Sequence, residues 1–312
     1  MNQHSGNSPF QQSQFIDQAR VRRAFDRAAE NYEKFAVLQN EVCHRLLEKL
    51  DVVKIAPELI LDSGAGTGSA ISPLFARYKK AQVVALDLSE NMLDRSARHG
   101  SFFRSPHLVC ADVERLPFAD KAFDLVFSSL SMQWCNDLNA AFLEAKRVLK
   151  PGGLFVFAIF GPDTLKELRS SWGKVDGAEH VNHFIDMHDI GDALLHDGFA
   201  EPVMEAELMT VTYRTVDEIM HDLKAIGANV TARAAGSLVA SPPSSHQTSS
   251  SDKGKGLGGK AALQQVRDNY EQFRQDDLLP ATYEIIYGHA WQPSFTEDKN
   301  KTSSRRIVKF LK

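Results

Sequence analysis

The sequence predicts an α/β protein: a seven-stranded, mostly parallel sheet with helices on both faces and a helical lid at the N-terminus. Two observations carry this. Short apolar runs alternate with helical patterns from Leu59 onward, and the first run ends in a glycine-rich turn, Gly64-x-Gly66-x-Gly68. At 312 residues with 43% hydrophobic content, the chain has enough apolar material for a full core. A net charge of −4 gives no footprint for nucleic acid over the whole molecule. The polar start, Met1 to Gln14, lacks a signal-peptide core, and no apolar window is long enough to span a membrane. The scattered thiols Cys43, Cys110 and Cys135 fit a reducing compartment, so a cytoplasmic protein is expected.

Two helices open the chain. Val21, Phe25, Ala28 and Tyr32 fall at helical spacing, with Arg20, Arg22, Arg23 and Arg27 on the other face; Leu38, Val42, Leu46 and Leu50 mark the second. Strands are expected at Leu59–Asp62, Gln82–Asp87, Leu108–Cys110, Phe123–Ser128, Leu154–Phe160, Met204–Tyr213 and Thr282–Tyr287. Helices fall between them, around Ala70–Tyr78, Glu90–His99 and Leu138–Leu149, with Lys150-Pro151-Gly152-Gly153 as a stop and a turn. Thr164-x-x-Glu167 reads as a capping box, and Asp186–His196 as a short helix closed by Gly198. The expected organisation is a lid over 1–50, a core over 51–160, and the rest of the same domain over 161–292. A flexible surface excursion is expected at 235–260 and a basic tail at 293–312.

Asp62 stands directly before the glycine loop, where a pyrophosphate would meet a repulsive carboxylate and a cationic ligand would not. The third glycine of a dinucleotide fingerprint is also missing. S-adenosylmethionine, with a sulfonium and an ammonium, suits this carboxylate, while the loop amides suit its own carboxylate. Asp87, at the end of the second strand, is placed to accept ribose hydroxyls, and Asp112, after the third, the adenine amine. His180, His183 and His188 lie close in sequence but do not form a coherent ligand set, so no metal is expected.

From Leu59 to Phe160 the chain resembles the class I methyltransferases, through the Asp62-x-Gly64-x-Gly66-Thr67-Gly68 loop, the Leu116-Pro117-Phe118 turn and Phe123-Asp124-Leu125-Val126. Ser63 and Ala65 replace an apolar residue and a cysteine that are frequent there; both are small enough for the loop to survive. A closer resemblance is to the malonyl-(acyl-carrier protein) O-methyltransferases of biotin synthesis. It rests on the stretches Val21 to Tyr32, Ser128 to Cys135, Asp222 to Ala228 and Leu279 to Tyr283; the Ser/Gly-rich stretch lies outside that pattern. The arginine hydroxylase-type assembly factors of respiratory complex I share the Ser128-Ser-Leu-Ser-x-x-Trp134 stretch and the Gly161-to-Arg169 segment. That sister group stays open as an alternative, as does a non-catalytic cofactor-binding module.

The closer resemblance implies a Rossmann-like class I methyltransferase fold and S-adenosylmethionine as cofactor. Asp62, Gly64, Ala65, Gly66, Gly68, Asp87, Leu88, Met92, Asp112, Val113 and Ser128 would hold that cofactor. The free carboxylate of a malonyl thioester would attack the methyl group, and being already ionised it requires no general base. Tyr32 would fold over the cofactor as a lid, Gln133 and Trp134 would meet the substrate, and Arg169 would hold its carboxylate. The implied partner is malonyl-loaded acyl-carrier protein or malonyl-CoA, received by a basic patch at Arg20, Arg22, Arg23 and Arg27 or at Lys166 and Arg169. No Asn/Asp-Pro-Pro-Tyr/Phe follows the fourth strand, which argues against an amino-methylating nucleic-acid enzyme.

Overall fold

The computed structural model describes residues 14–101, 104–175, 180–182, 184–228, 233–234 and 255–294. Seven strands form one sheet: β1 (Leu59–Ser63), β2 (Gln82–Asp87), β3 (His107–Cys110), β4 (Phe123–Ser129), β5 (Leu149–Phe160), β6 (Ala200–Tyr213) and β7 (Leu279–Trp291). Their order is β3-β2-β1-β4-β5-β7-β6. All run parallel except β7, which inserts antiparallel between β5 and β6. The crossovers reverse direction between β1 and β4, and that switch point opens a crevice at the carboxyl ends of the strands.

The helices are α1 (Gln18–Ala28), α2 (Tyr32–Phe35), α3 (Val37–Lys49), α4 (Ile71–Arg77), α5 (Glu90–Ser96), α6 (Leu138–Val148), α7 (Lys166–Gly173), α8 (Met187–His196), α9 (Val216–Ala225) and α10 (Lys255–Tyr270). Strand side chains alternate between two cores, as a period of two requires. Ile60, Val83, Leu125, Phe127 and Val156 face the layer of α3, α4, α9 and α10. Leu61, Val84, Val126, Phe155 and Phe157 face α6 and α8, with the Phe155 and Phe157 rings stacked at 4.9 Å. The central strands are covered on both faces and buried along most of their length, whereas the edge strands β3 and β6 stay largely exposed.

The strands and the helices up to α8 correspond to those expected, with informative differences, and α9 and α10 are additional to them. β5 begins at Leu149, because Leu149 still pairs with Phe123; Lys150–Gly153 loops out before Leu154 pairs with Leu125, with Gly152 at φ +79°. Tyr32 does not continue α1; it opens the short helix α2. The expected capping box at Thr164 does not form. The Thr164 hydroxyl donates to the Glu284 carbonyl, and the buried Glu167 carboxylate accepts from the backbone N–H and hydroxyl of Thr282. Tertiary partners on β7 outcompete the local motif. The same device does form at α9, between Thr215 and Glu218. α10 begins at Lys255, inside the Ser/Gly-rich stretch; 235–254, 295–312 and His183 lie outside the described residues.

The lid sits across the crevice. Ile16 N–H donates to Asn136 Oδ1 (2.7 Å), and Asn136 Nδ2 donates back to the Ile16 carbonyl (3.0 Å). On the other side, Ser89 Oγ donates to Asp26 Oδ1 at 2.6 Å, and Arg22 pairs with Glu90 at 3.0 Å. The segment from Ile16 to Asp26 therefore spans from the loop after β4 to the loop after β2.

Candidate active site

A cavity of about 380 Å³ lies between the lid and the carboxyl edge of the sheet, within the range of small-molecule sites. The glycine loop forms its floor. Gly64 adopts φ +79°, and a Cβ there would fall 2.1 Å from Ser131 Cβ, so only glycine fits. Gly66 also has positive φ, +54°, yet nothing stands within 4 Å of where its Cβ would be. Its bare face is turned to open space, the geometry of a backbone that a ligand approaches closely.

The carboxylates define the electrostatics. Asp87 accepts from Gly66 N–H and Ser89 N–H, each at 2.9 Å, which fixes its orientation; burial raises its pKa, and these two bonds oppose the rise. Asp62 is 2% exposed, and its Oδ2 finds no hydrogen-bond partner. Burial, and secondarily the Asp87 charge, push it up to about 7. A buried carboxyl with an orphaned oxygen, within reach of the Asp87 charge, is a site for a cation. Asp112 lines the same cavity and accepts from Glu114 N–H at 2.9 Å.

Ala65, Leu88, Met92 and Val113 also line the cavity; Gly68 and Ser128 do not. A Cβ on Gly68 would meet Ser96 Cα at 2.9 Å, so this glycine serves the packing of the loop against α5. Ser128 is fully buried, and its hydroxyl and that of Ser131 converge on the Ser63 carbonyl at 2.8 and 3.0 Å. They hold the loop from below.

Tyr32, Gln133 and Trp134 all reach the cavity. Tyr32 packs on Ala28, Ala29 and Met92, and its hydroxyl is pushed above the usual tyrosine range by burial and then by the Asp87 charge. Trp134 meets Phe25 edge-on at 5.4 Å, clamping the lid to the loop after β4. Gln133 donates to the Leu130 carbonyl at 2.7 Å and leaves its buried Oε1 without a partner. Arg169 is placed elsewhere. It does not line the cavity, and its guanidinium donates to the carbonyls of Pro162 and Thr164, both at 2.9 Å. Residues that sequence reasoning passed over also line the cavity, among them Gln39, Thr164, Leu165, Trp172, His180 and Tyr283. They come from α3, the loop after β5, α7, the chain after it and β7; Thr164, Leu165 and Tyr283 lie in stretches that carried the resemblances, but nothing in the sequence marked them as cavity residues.

A methyltransferase-domain family profile matches residues 61–157. A Bacillus halodurans structure of methyltransferase type superposes with TM-score 0.53 at 19% identity, covering 81% of this chain and 99% of that one, which speaks for the fold alone. Malonyl-(acyl-carrier protein) O-methyltransferase of Laribacter hongkongensis is 46% identical over 304 residues, covering 95% of this chain and 96% of the relative. That of a Methylovorus species is 49% identical over 284 residues, covering 89% and 90%. The chain belongs to the malonyl-(acyl-carrier protein) O-methyltransferase family. Its similarity to these methyltransferases runs through the lid and the C-terminal strands as well as the core, and the assembly-factor alternative is not favoured. Among the described residues, no group of three or more His, Cys, Asp or Glu is arranged to hold a metal, and no helix is long and apolar enough to cross a membrane.

Proposed function

We propose that this chain is an S-adenosylmethionine-dependent O-methyltransferase that methylates the free carboxylate of a malonyl thioester, an early step of biotin synthesis. The observation that carries the cofactor reading is the unpartnered Oδ2 of buried Asp62 beside Asp87, which calls for a cationic ligand at the glycine loop. The cofactor would supply a methyl group made electrophilic by its sulfonium. Asp62 would take its ammonium, Asp87 its ribose hydroxyls and Asp112 its adenine amine, with Leu88, Met92 and Val113 packing on the adenosine.

The residues around this site act by placement. A malonyl carboxylate is ionised at neutral pH, so the chain has no proton to remove. Lid residues Phe25 and Tyr32, with Trp134, close the cavity and exclude water, and the rigid loop below fixes the methyl donor in line with the nucleophile. Gln133, with its unpaired Oε1, orients a donor group of the substrate.

The partner is malonyl-loaded acyl-carrier protein or malonyl-CoA. Of the basic residues on the lid, Arg22 is already paired with Glu90, whereas Arg23 and Arg27 are exposed and make no ion pair among the described residues. They suit an acidic carrier. The test is to incubate the protein with S-adenosylmethionine and malonyl-acyl-carrier protein, and to read the carrier by intact mass. One added methyl group is expected, with none on the acetyl-carrier. Cofactor binding without a gain on the malonyl-carrier would overturn the reading.

A further inference from the structure

Buried polar atoms in a folded protein nearly always find a partner, so an exception points to a group that the chain itself does not supply. Among the described residues, three that line the cavity carry such an atom: Gln39 Oε1, Asp62 Oδ2 and Gln133 Oε1 are buried and unpartnered. All are acceptors, and no lysine or arginine among the described residues lines the cavity to satisfy them. The readings above give Asp62 to the cofactor and Gln133 to the substrate, and leave the Gln39 oxygen without a partner.

Gln39 lies in the first turn of α3, and its neighbours along the chain fix which part of the cavity it faces. Cys43 follows it by one helical turn on the same face and lines the same cavity. The Cys43 thiol faces Ser69, Ser129 and the Asp62 carboxylate. Ser69 directly follows Gly68, and Ser129 ends β4, so this face of α3 is applied to the glycine loop beside Asp62. On the other side, Tyr32 at the start of α2 lies within reach of the Asp87 charge. Gln39 is bracketed by residues that meet the two carboxylates.

The chemistry of these acceptors fits one group. A primary ammonium carries three N–H donors, more than the single free oxygen of Asp62 can take. A carboxamide oxygen takes another without adding negative charge where the Asp87 charge already disfavours ionisation of Asp62. We infer that Gln39 is a binding residue for the amino-acid end of the cofactor, its Oε1 accepting from the ammonium that Asp62 also holds. This rests on the S-adenosylmethionine reading given above, and it adds to the glycine loop a ligand supplied by α3.

The test measures binding and needs no turnover. S-adenosylhomocysteine and methylthioadenosine share an adenosine and a thioether, and the first alone has the amino-acid end. Both are titrated calorimetrically into full-length wild type, Gln39→Leu and Gln39→Glu. Gln39→Leu should weaken S-adenosylhomocysteine by about tenfold or more, the value of a hydrogen bond to a charged group. Its affinity for methylthioadenosine should stay unchanged, which also reports its folding. Gln39→Glu, whose side chain still accepts, should hold S-adenosylhomocysteine within a few-fold of wild type. Equal losses for both ligands in Gln39→Leu, or no loss, would overturn the assignment. So would a Gln39→Glu variant that binds S-adenosylhomocysteine as poorly as Gln39→Leu, since the amide would then be donating to the cofactor's carboxylate. A wild type that binds neither ligand would defeat the cofactor reading and this assignment with it. The expected pattern without methyl transfer to malonyl-acyl-carrier protein would keep Gln39 and defeat the transfer reading alone.

Discussion

At the residue scale, Asp62 is the point of greatest tension. Burial lifts its carboxyl from 3.8 to about 7. A carboxyl raised on folding favours its protonated form in the native state. Its contribution to stability is therefore full below the unfolded value and is lost as pH rises through about 7. A cationic ligand reverses this, because it binds the ionised form. The cofactor dissociation constant should fall as pH rises toward about 7 and level off above it, by up to about tenfold per pH unit. Asp62→Asn should raise the melting temperature of the cofactor-free protein by a few degrees and weaken S-adenosylmethionine binding by at least about tenfold. Calorimetry and thermal melts across this range check both; a pH-independent affinity in wild type would count against Asp62 as the cation's partner.

At the scale of elements, the loop Gly161–Leu165 shows what a sequence conceals. It leads from β5 into the cavity wall, and it ends on Leu165 at φ +55°, in the left-handed region that a branched residue seldom occupies. Glu284 holds it by accepting from Asp163 N–H at 2.8 Å, and Arg169 holds it through the Pro162 and Thr164 carbonyls. Arg169→Met should leave those carbonyls without their donor, lower the melting temperature by a few degrees, and raise the KM for the malonyl substrate several-fold with cofactor affinity unchanged. Loss of substrate binding beyond about a hundredfold with an unchanged melting temperature would instead make Arg169 a direct ligand.

The central strands were legible because each is an apolar run between turn residues, and β6 because its residues alternate. The glycine loop was legible because Asp62, Gly64 and Gly66 fall at alternate positions within one five-residue stretch where a strand gives way to a turn. Arg169 was not, since its partners are carbonyls whose positions depend on β7. Nor was α10: Lys255-Gly-Leu-Gly-Gly has the composition of a linker, and among the described side chains of the helix the fully buried ones are Val266 and Tyr270.

At the scale of the molecule, the carboxyl edge of the sheet and the lid enclose one cavity with two kinds of lining. Strand-end carboxylates gather at the switch point between β1 and β4, while Leu168, Trp172 and Tyr283 give the same cavity an apolar lining. The lid joins the two by bridging from Asn136 to Ser89. Such a molecule accelerates a reaction by holding two oppositely charged partners in line and dry, without moving a proton. The most direct test of that claim is the pH dependence of kcat on malonyl-acyl-carrier protein, with both substrates saturating. The account predicts a flat profile from about pH 6.5 to about 9, because the nucleophile is ionised throughout and saturation hides the titration of Asp62. A kcat that rises or falls tenfold per pH unit in that window would reveal an essential proton transfer and contradict it.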